Sequence, residues 1–281
     1  MLLRRIVTCV AVLGCVVVLA GSAAAAGEAI VVQTQGIDPA SPITWIDHSV
    51  AASNGAQLLL YPTCLKLVNY DEDSDNPVAE AATAMPSVSG GGTTYTFTIA
   101  SGHAFSDGET VTAESFERAI ERAIALSAQA QGLMADVASV SSAGDTLTIT
   151  LNAPAADFVS RLAMNFFCAT SSTAPAGASS TPLAAAGPYY IQSASASGVV
   201  LVRNPNYGGT RTQNLGTIHV RPLGAPGEAH YIADPPGTFS TPAGMTEIVT
   251  STTSIETLFL NTTRATFAAE STRRAAAYAI D

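Results

Sequence analysis

The chain has 281 residues, with 12 basic against 22 acidic side chains and a formal net charge of −10. That acidity, with no basic stripe, argues against nucleic acid as a partner. Hydrophobic residues make up 47% of the chain, enough to bury a real core in one large domain or two small ones.

The first 26 residues read as an export signal. Arg4 and Arg5 give the positive start, residues 6–20 an apolar run, and residues 21–27 a small-residue cleavage zone. The apolar run is shorter than the roughly 20 residues that span a bilayer, so cleavage is expected rather than anchoring, and no later stretch could span a membrane. Cys15 sits inside the apolar run, which argues against a lipid anchor there. The mature chain is therefore expected outside the cytoplasm, in the periplasm or at the cell surface.

Residues 29–34 (AIVVQT) predict a buried first strand, ended by Gly36 and the Asp38-Pro39 turn. Residues 54–60 predict a helix leading to Tyr61-Pro62. Residues 71–76 (DEDSDN) read as a charged, solvated turn. Residues 93–99 (TTYTFTI) and 145–151 (DTLTITL) alternate faces and predict half-buried antiparallel strands. Between them Thr112 is a good N-cap, and Phe116, Ala119, Ile120, Ala123 and Ile124 recur at helical spacing. Glu117, Arg118, Glu121 and Arg122 read as the solvated face of that helix. Residues 157–167 predict a second amphipathic helix, 170–186 a loop, and 188–193, 199–203 and 217–221 strands. Residues 224–244 are dense in Pro and Gly and carry little periodic signal. Residues 256–261 predict a further strand, and 271–281 the start of a helix.

With the signal removed, Cys64 and Cys168 remain. An even pair in an exported chain reads as a disulfide, and the alternative is two separate buried thiols. His48, His103, His219 and His230 stand at no metal-ligand spacing from one another. Asp71, Asp73 and Asp75 imitate a calcium loop, but Asn76 replaces its glycine and Ala82 its bidentate glutamate. No nucleophile elbow, zinc-protease, P-loop or dinucleotide motif occurs. No enzyme activity, metal or cofactor is expected, and an exported hydrolase has no motif behind it.

Four stretches, in order, resemble the bacterial extracellular solute-binding protein family 5, the peptide-, oligopeptide- and dipeptide-binding components of ABC importers. They are residues 105–108 (FSDG) running on to Val111, Thr112, Ala113, Glu114 and Phe116; 186–189 (AGPY); 203–207 (RNPNY); and 258–262 (LFLNT) with Arg273, Arg274 and residues 278–281 (YAID). The Asp38-Pro39 turn and residues 60–67 (LYPTCLKL) fit the same scheme. The likeness is to the actinobacterial branch, where cysteines at the places of Cys64 and Cys168 are familiar. Ser115 stands where the family usually carries Asp, and Ala268 and Ala269 stand where a capping Asp is usual.

The resemblance implies an α/β fold: a periplasmic-binding-protein-like (type II) mixed-sheet lobe with an inserted α+β accessory domain, the second lobe largely missing. Residues 27–47 and 185–262 would form the first lobe, 48–184 the accessory domain, and 263–281 the start of an incomplete second lobe. It implies a peptide or similar small polar solute as ligand and ABC permease subunits as partners. Asp38, in the loop after the first strand, and Trp45, the only tryptophan, are the candidate ligand contacts, with core packing the alternative role for Trp45. Asp281 puts negative charge at a helix C-terminus, with no Gly or Pro stop signal before it, so the chain reads as truncated and poorly competent alone. The alternative is an exported interaction or sensor protein derived from a solute-binding protein.

Overall fold

A computed structural model describes residues 29–34, 43–51, 53–70, 76–224 and 229–233, with residues 269 and 271. The chain divides into two compact units, Met1–Gly237 and Thr238–Asp281, and every element below belongs to the first. The signal, Asp38, the acidic residues 71–75 and the elements expected at 256–261 and 271–281 lie outside the described residues, save Ser271.

Strand β1 (Ala29–Thr34) is followed by a short 3-10 turn (Ile43–Ile46) and by α1 (Asn54–Leu60), which Ser53 caps by accepting from Ala56 N. A second 3-10 turn (Tyr61–Thr63) leads to the hairpin β2 (Val68–Tyr70) and β3 (Pro77–Ala79). Then come β4 (Ser87–Ser89), β5 (Thr94–Thr98), α2 (Ala113–Leu126), α3 (Ala128–Leu133), β6 (Val137–Ala143), β7 (Thr146–Leu151) and α4 (Phe158–Arg161). The described part closes with β8 (Tyr189–Ser195), β9 (Gly198–Arg203), β10 (Thr217–Pro222) and β11 (Tyr231–Ala233).

Two sheets organise these elements around two cores. The first is five-stranded, in the order β11-β1-β10-β9-β8. Strand β1 runs parallel to both its neighbours, whereas β10, β9 and β8 are antiparallel. Its core gathers Ile46, Leu59, Leu60, Tyr189, Ile191, Val199, Leu201 and Val220. The second sheet is antiparallel, β4-β5-β7-β6, with α2 packed against β6 and β7. The alternation in β5 and β7 sends Tyr95, Phe97, Leu147, Ile149 and Leu151 inward. There they meet Phe105, Phe116, Ile120, Phe158, Phe166 and Phe167. Each such side chain contributes about 1.5–3 kcal/mol on leaving water.

The structure corrects two expectations. Residues 157–167 do not form one helix: α4 ends at Arg161, and a 3-10 turn (Asn165–Phe167) follows an extended Met164. Phe158, Leu162, Phe166 and Phe167 all enter one core while Cys168 reaches back to Cys64, which one straight helix does not allow. The segment without periodic signal also supplies a strand. Residues 231–233 form β11 on the outer edge of β1, too short for any period to show.

Candidate functional site

In open sheets with parallel strands, ligands bind outside the carboxyl ends of those strands. Here three parallel strands end together: Thr34 of β1 faces Pro222 of β10 on one side and Ala233 of β11 on the other. The chain turns away from this edge immediately. Leu223 N donates to Thr34 O at 2.9 Å, and Gly224, at φ +78°, donates its N–H to Gln33 Oε1 at 3.2 Å. On the other flank His230 N donates to Val31 O at 2.8 Å, and Val31 N donates to His230 Nδ1 at 3.0 Å.

Asp38 follows β1 in the sequence and lies outside the described residues. Trp45 is half-buried, and its ring packs on the five-stranded sheet's core. Its indole Nε1 is buried with no hydrogen-bond acceptor among the described residues. Trp45 thus packs on the core while part of its ring stays exposed, which suits a wall residue as well as a core residue.

Directly after Trp45 the chain is riveted. Asp47 is fully buried and receives both ends of the Arg122 guanidinium, at 2.7 and 2.6 Å, together with Ser49 N and Ser179 N. Burial pushes the Asp47 carboxyl up, but Arg122, His48 and the Ser179 amide outweigh it and hold it below its ordinary value. Arg122 is therefore not on a solvated face, as its helix pattern suggested; only 7% of it is exposed. The helix turns it toward a carboxylate 75 positions earlier in the chain, which no local pattern announces. Asp47, His48 and Ser49 include the residue types of a hydrolase triad, but not the geometry. Asp47 is taken up by Arg122, and the His48 ring faces Thr170 Oγ1 at 3.5 Å inside the protein.

A second buried charge cluster surrounds Lys66, the only lysine in the sequence. Its ammonium lies 4.8 Å from the Tyr61 ring centre and donates to Asn165 Oδ1 at 3.4 Å. Arg211 stacks on the same ring at 5.1 Å and donates to the Tyr61 and Cys64 carbonyls. Its Nε lies 2.8 Å from Glu80 Oε1, an ion pair whose alignment falls short of a hydrogen bond. Burial pushes Lys66 down to about 8, opposed by Glu80 and reinforced by Arg211. Sequence reasoning missed this cluster; the one usable signal was a lysine inside the apolar run LYPTCLKL.

Beside the cluster Cys64 and Cys168 form a disulfide with Cα atoms 5.1 Å apart, and both residues are buried. Among the described residues no group of three or more His, Cys, Asp or Glu gathers to hold a metal. A cavity lined by Ile46, His48, Leu60, Thr63, Cys168 and Ile191, among others, measures about 20 Å³, far below the roughly 300 Å³ at which small-molecule pockets begin.

Three of the four sequence stretches singled out above meet in space. Ser106 N donates to Ala185 O at 2.8 Å, and Ala185 N donates to Ser106 Oγ at 3.2 Å. The buried Asn204 donates through Nδ2 to Ala185 O and Gly187 O, at 3.1 and 3.0 Å. Asn206 Nδ2 donates to Phe105 O and Ser106 O. The short amides answer main-chain carbonyls of these loops. These residues therefore tie loops together.

The description "Bacterial extracellular solute-binding proteins, family 5 Middle" matches residues 76–281. Among curated proteins none matches this chain. The fold is similar to that of Listeria monocytogenes OppA bound to peptide, with TM-score 0.59 and 18% identity over 70% of this chain and 43% of that one. It is similar to Helicobacter pylori DppA in complex with peptide STSA, with TM-score 0.55 and 19% identity over 70% and 43%. It is also similar to Staphylococcus aureus NikA in complex with Ni(L-His)2, with TM-score 0.55 and 18% identity over 70% and 39%. At these identities the likeness shows the fold alone, which is the mixed α/β, type II periplasmic-binding-protein fold. The chain spans about two fifths of the length of these structures.

Proposed function

Because the chain belongs to the bacterial extracellular solute-binding proteins, family 5, we propose that it serves an ABC importer by capturing a peptide or a similar small polar solute and presenting it to the permease subunits. The observation that carries this reading is the family match over residues 76–281 together with the three parallel strand ends at Thr34, Pro222 and Ala233. Family and structural neighbours are binding proteins rather than enzymes.

The carboxyl edge is one wall of the solute site. Asp38 meets a cationic group of the solute, and Trp45 offers the exposed part of its ring. Residues 27–47 and 185–262 make the lobe that carries this wall, and residues 48–184 the accessory domain inserted in it. The opposite wall starts at about residue 263. Solute binds the closed arrangement of two walls better than the open one and shifts the population toward it. Residues 1–26 direct export and are removed. No helix among the described residues is long and apolar enough to cross a membrane.

The test is a titration of the disulfide-intact mature chain with a pool of short peptides, followed by amide and indole NMR shifts and by calorimetry. One wall alone is expected to bind on the order of millimolar, with shifts confined to Trp45, Thr34, Leu223 and Gly224 and lost in Trp45→Leu. Shifts elsewhere only would refute the placement of the site. Micromolar affinity would refute the claim that a second wall is required, and a clean homodimer with no shifts would favour an exported interaction protein.

A further inference from the structure

The cavity too small for a solute is the right size for something else. It lies where the two cores meet: Ile46, Leu60 and Ile191 come from the five-stranded sheet's side, Ala169 and Ala184 from the other. Its 20 Å³ exceeds the roughly 10–15 Å³ that one water molecule needs. Two polar side chains line it, His48 and Thr63.

His48 is 9% exposed, and its Nδ1 is buried without a hydrogen-bond partner. The other ring nitrogen, Nε2, lies 3.5 Å from Thr170 Oγ1, whose hydroxyl also reaches Cys168 O at 3.2 Å, so Nδ1 is the ring atom left without a partner. Thr63 Oγ1 donates to Leu60 O at 2.8 Å, which leaves its own lone pairs as acceptors. A ring nitrogen without a partner and a hydroxyl with lone pairs to spare thus belong to residues that line one water-sized space.

We infer that this cavity is a structural-water site, in which one water molecule hydrogen-bonds to His48 Nδ1 and to Thr63 Oγ1. Water can donate to or accept from the ring nitrogen and donate to the hydroxyl, whereas the nearby guanidinium of Arg122 disfavours a cation. The bridge joins the segment that follows Trp45 to the turn that precedes Cys64. It adds a polar stitch to a seam that the Asp47–Arg122 pair also joins.

The disulfide-intact protein decides the matter without any substitution. A high-resolution crystal structure is expected to show one ordered water within hydrogen-bond reach of His48 Nδ1. Xenon under pressure is expected to stay out of the cavity. Xenon density at this place would overturn the assignment, since a dry apolar cavity takes xenon. A folded His48→Phe variant is expected to lose the water density, and density unchanged in that variant would equally overturn it.

Discussion

Arg122 uses all five of its N–H donors inside the protein: on both oxygens of Asp47, on Ser49 Oγ, and on the carbonyls of Pro175 and Gly177. Such a fork has no substitute among the other side chains. Arg122→Met leaves the Asp47 charge buried and unpaired, and is expected to lower stability by about 3–5 kcal/mol in urea unfolding. Adding Asp47→Asn to that variant is expected to recover part of the loss; no recovery would mean that packing, not the stranded charge, sets the cost. His48 sets the acid response. Burial holds it near 4, against 6.5 for the ordinary imidazole. Between those values the unfolded chain binds more protons, so stability falls as pH drops from about 6.5 to 4, by about 3 kcal/mol in all. His48→Gln is expected to flatten that slope in a pH series of unfolding midpoints. Lys66 acts at the other end with the same sign. It sheds its proton near 8 in the fold and near 10.5 outside it, so stability rises with pH across that window.

Elements with a clean period could be read from sequence directly. Strand β1 and helix α1 fall where their apolar runs predicted, and β5, β7, β8, β9 and β10 lie within a residue or two of their expected bounds. Strand β11 and the break after α4 were not readable, because a three-residue strand has no period and the break serves a distant cysteine. The glycine before Pro188 shows the same divide. Sequence marks Gly187 as a breaker of the long loop, which is a local role. In the fold its N–H donates to Thr63 O at 2.9 Å, and an added Cβ would sit 2.7 Å from Cys64 N. Backbone cannot yield there as a side-chain tip would. Gly187→Ala is therefore expected to cost about 1–3 kcal/mol or more. Thermal unfolding of that variant within a degree of the parent would show that the approach is looser than described.

At the scale of the molecule, two cores are joined by the Asp47–Arg122 rivet, the knot around Asn204 and the close backbone approach at Gly187. The disulfide closes a loop with a sequence separation of 104. Removing it as Cys64→Ser with Cys168→Ser is expected to cost up to about 4.7 kcal/mol, visible as a lower urea midpoint. A midpoint equal to the parent's would mean that the loop is already held by the surrounding contacts. Sequence alone determined the acidic balance, the positions of the periodic strands and helices, and the stretches that carry the family likeness, because each is a property of neighbours along the chain. Only the tertiary structure decided that Arg122 is buried, that Lys66 shares a ring with Arg211, and that three strand ends form one edge. Those facts depend on contacts between residues far apart in sequence, and neither periodicity nor composition carries information about which distant partner a side chain will meet.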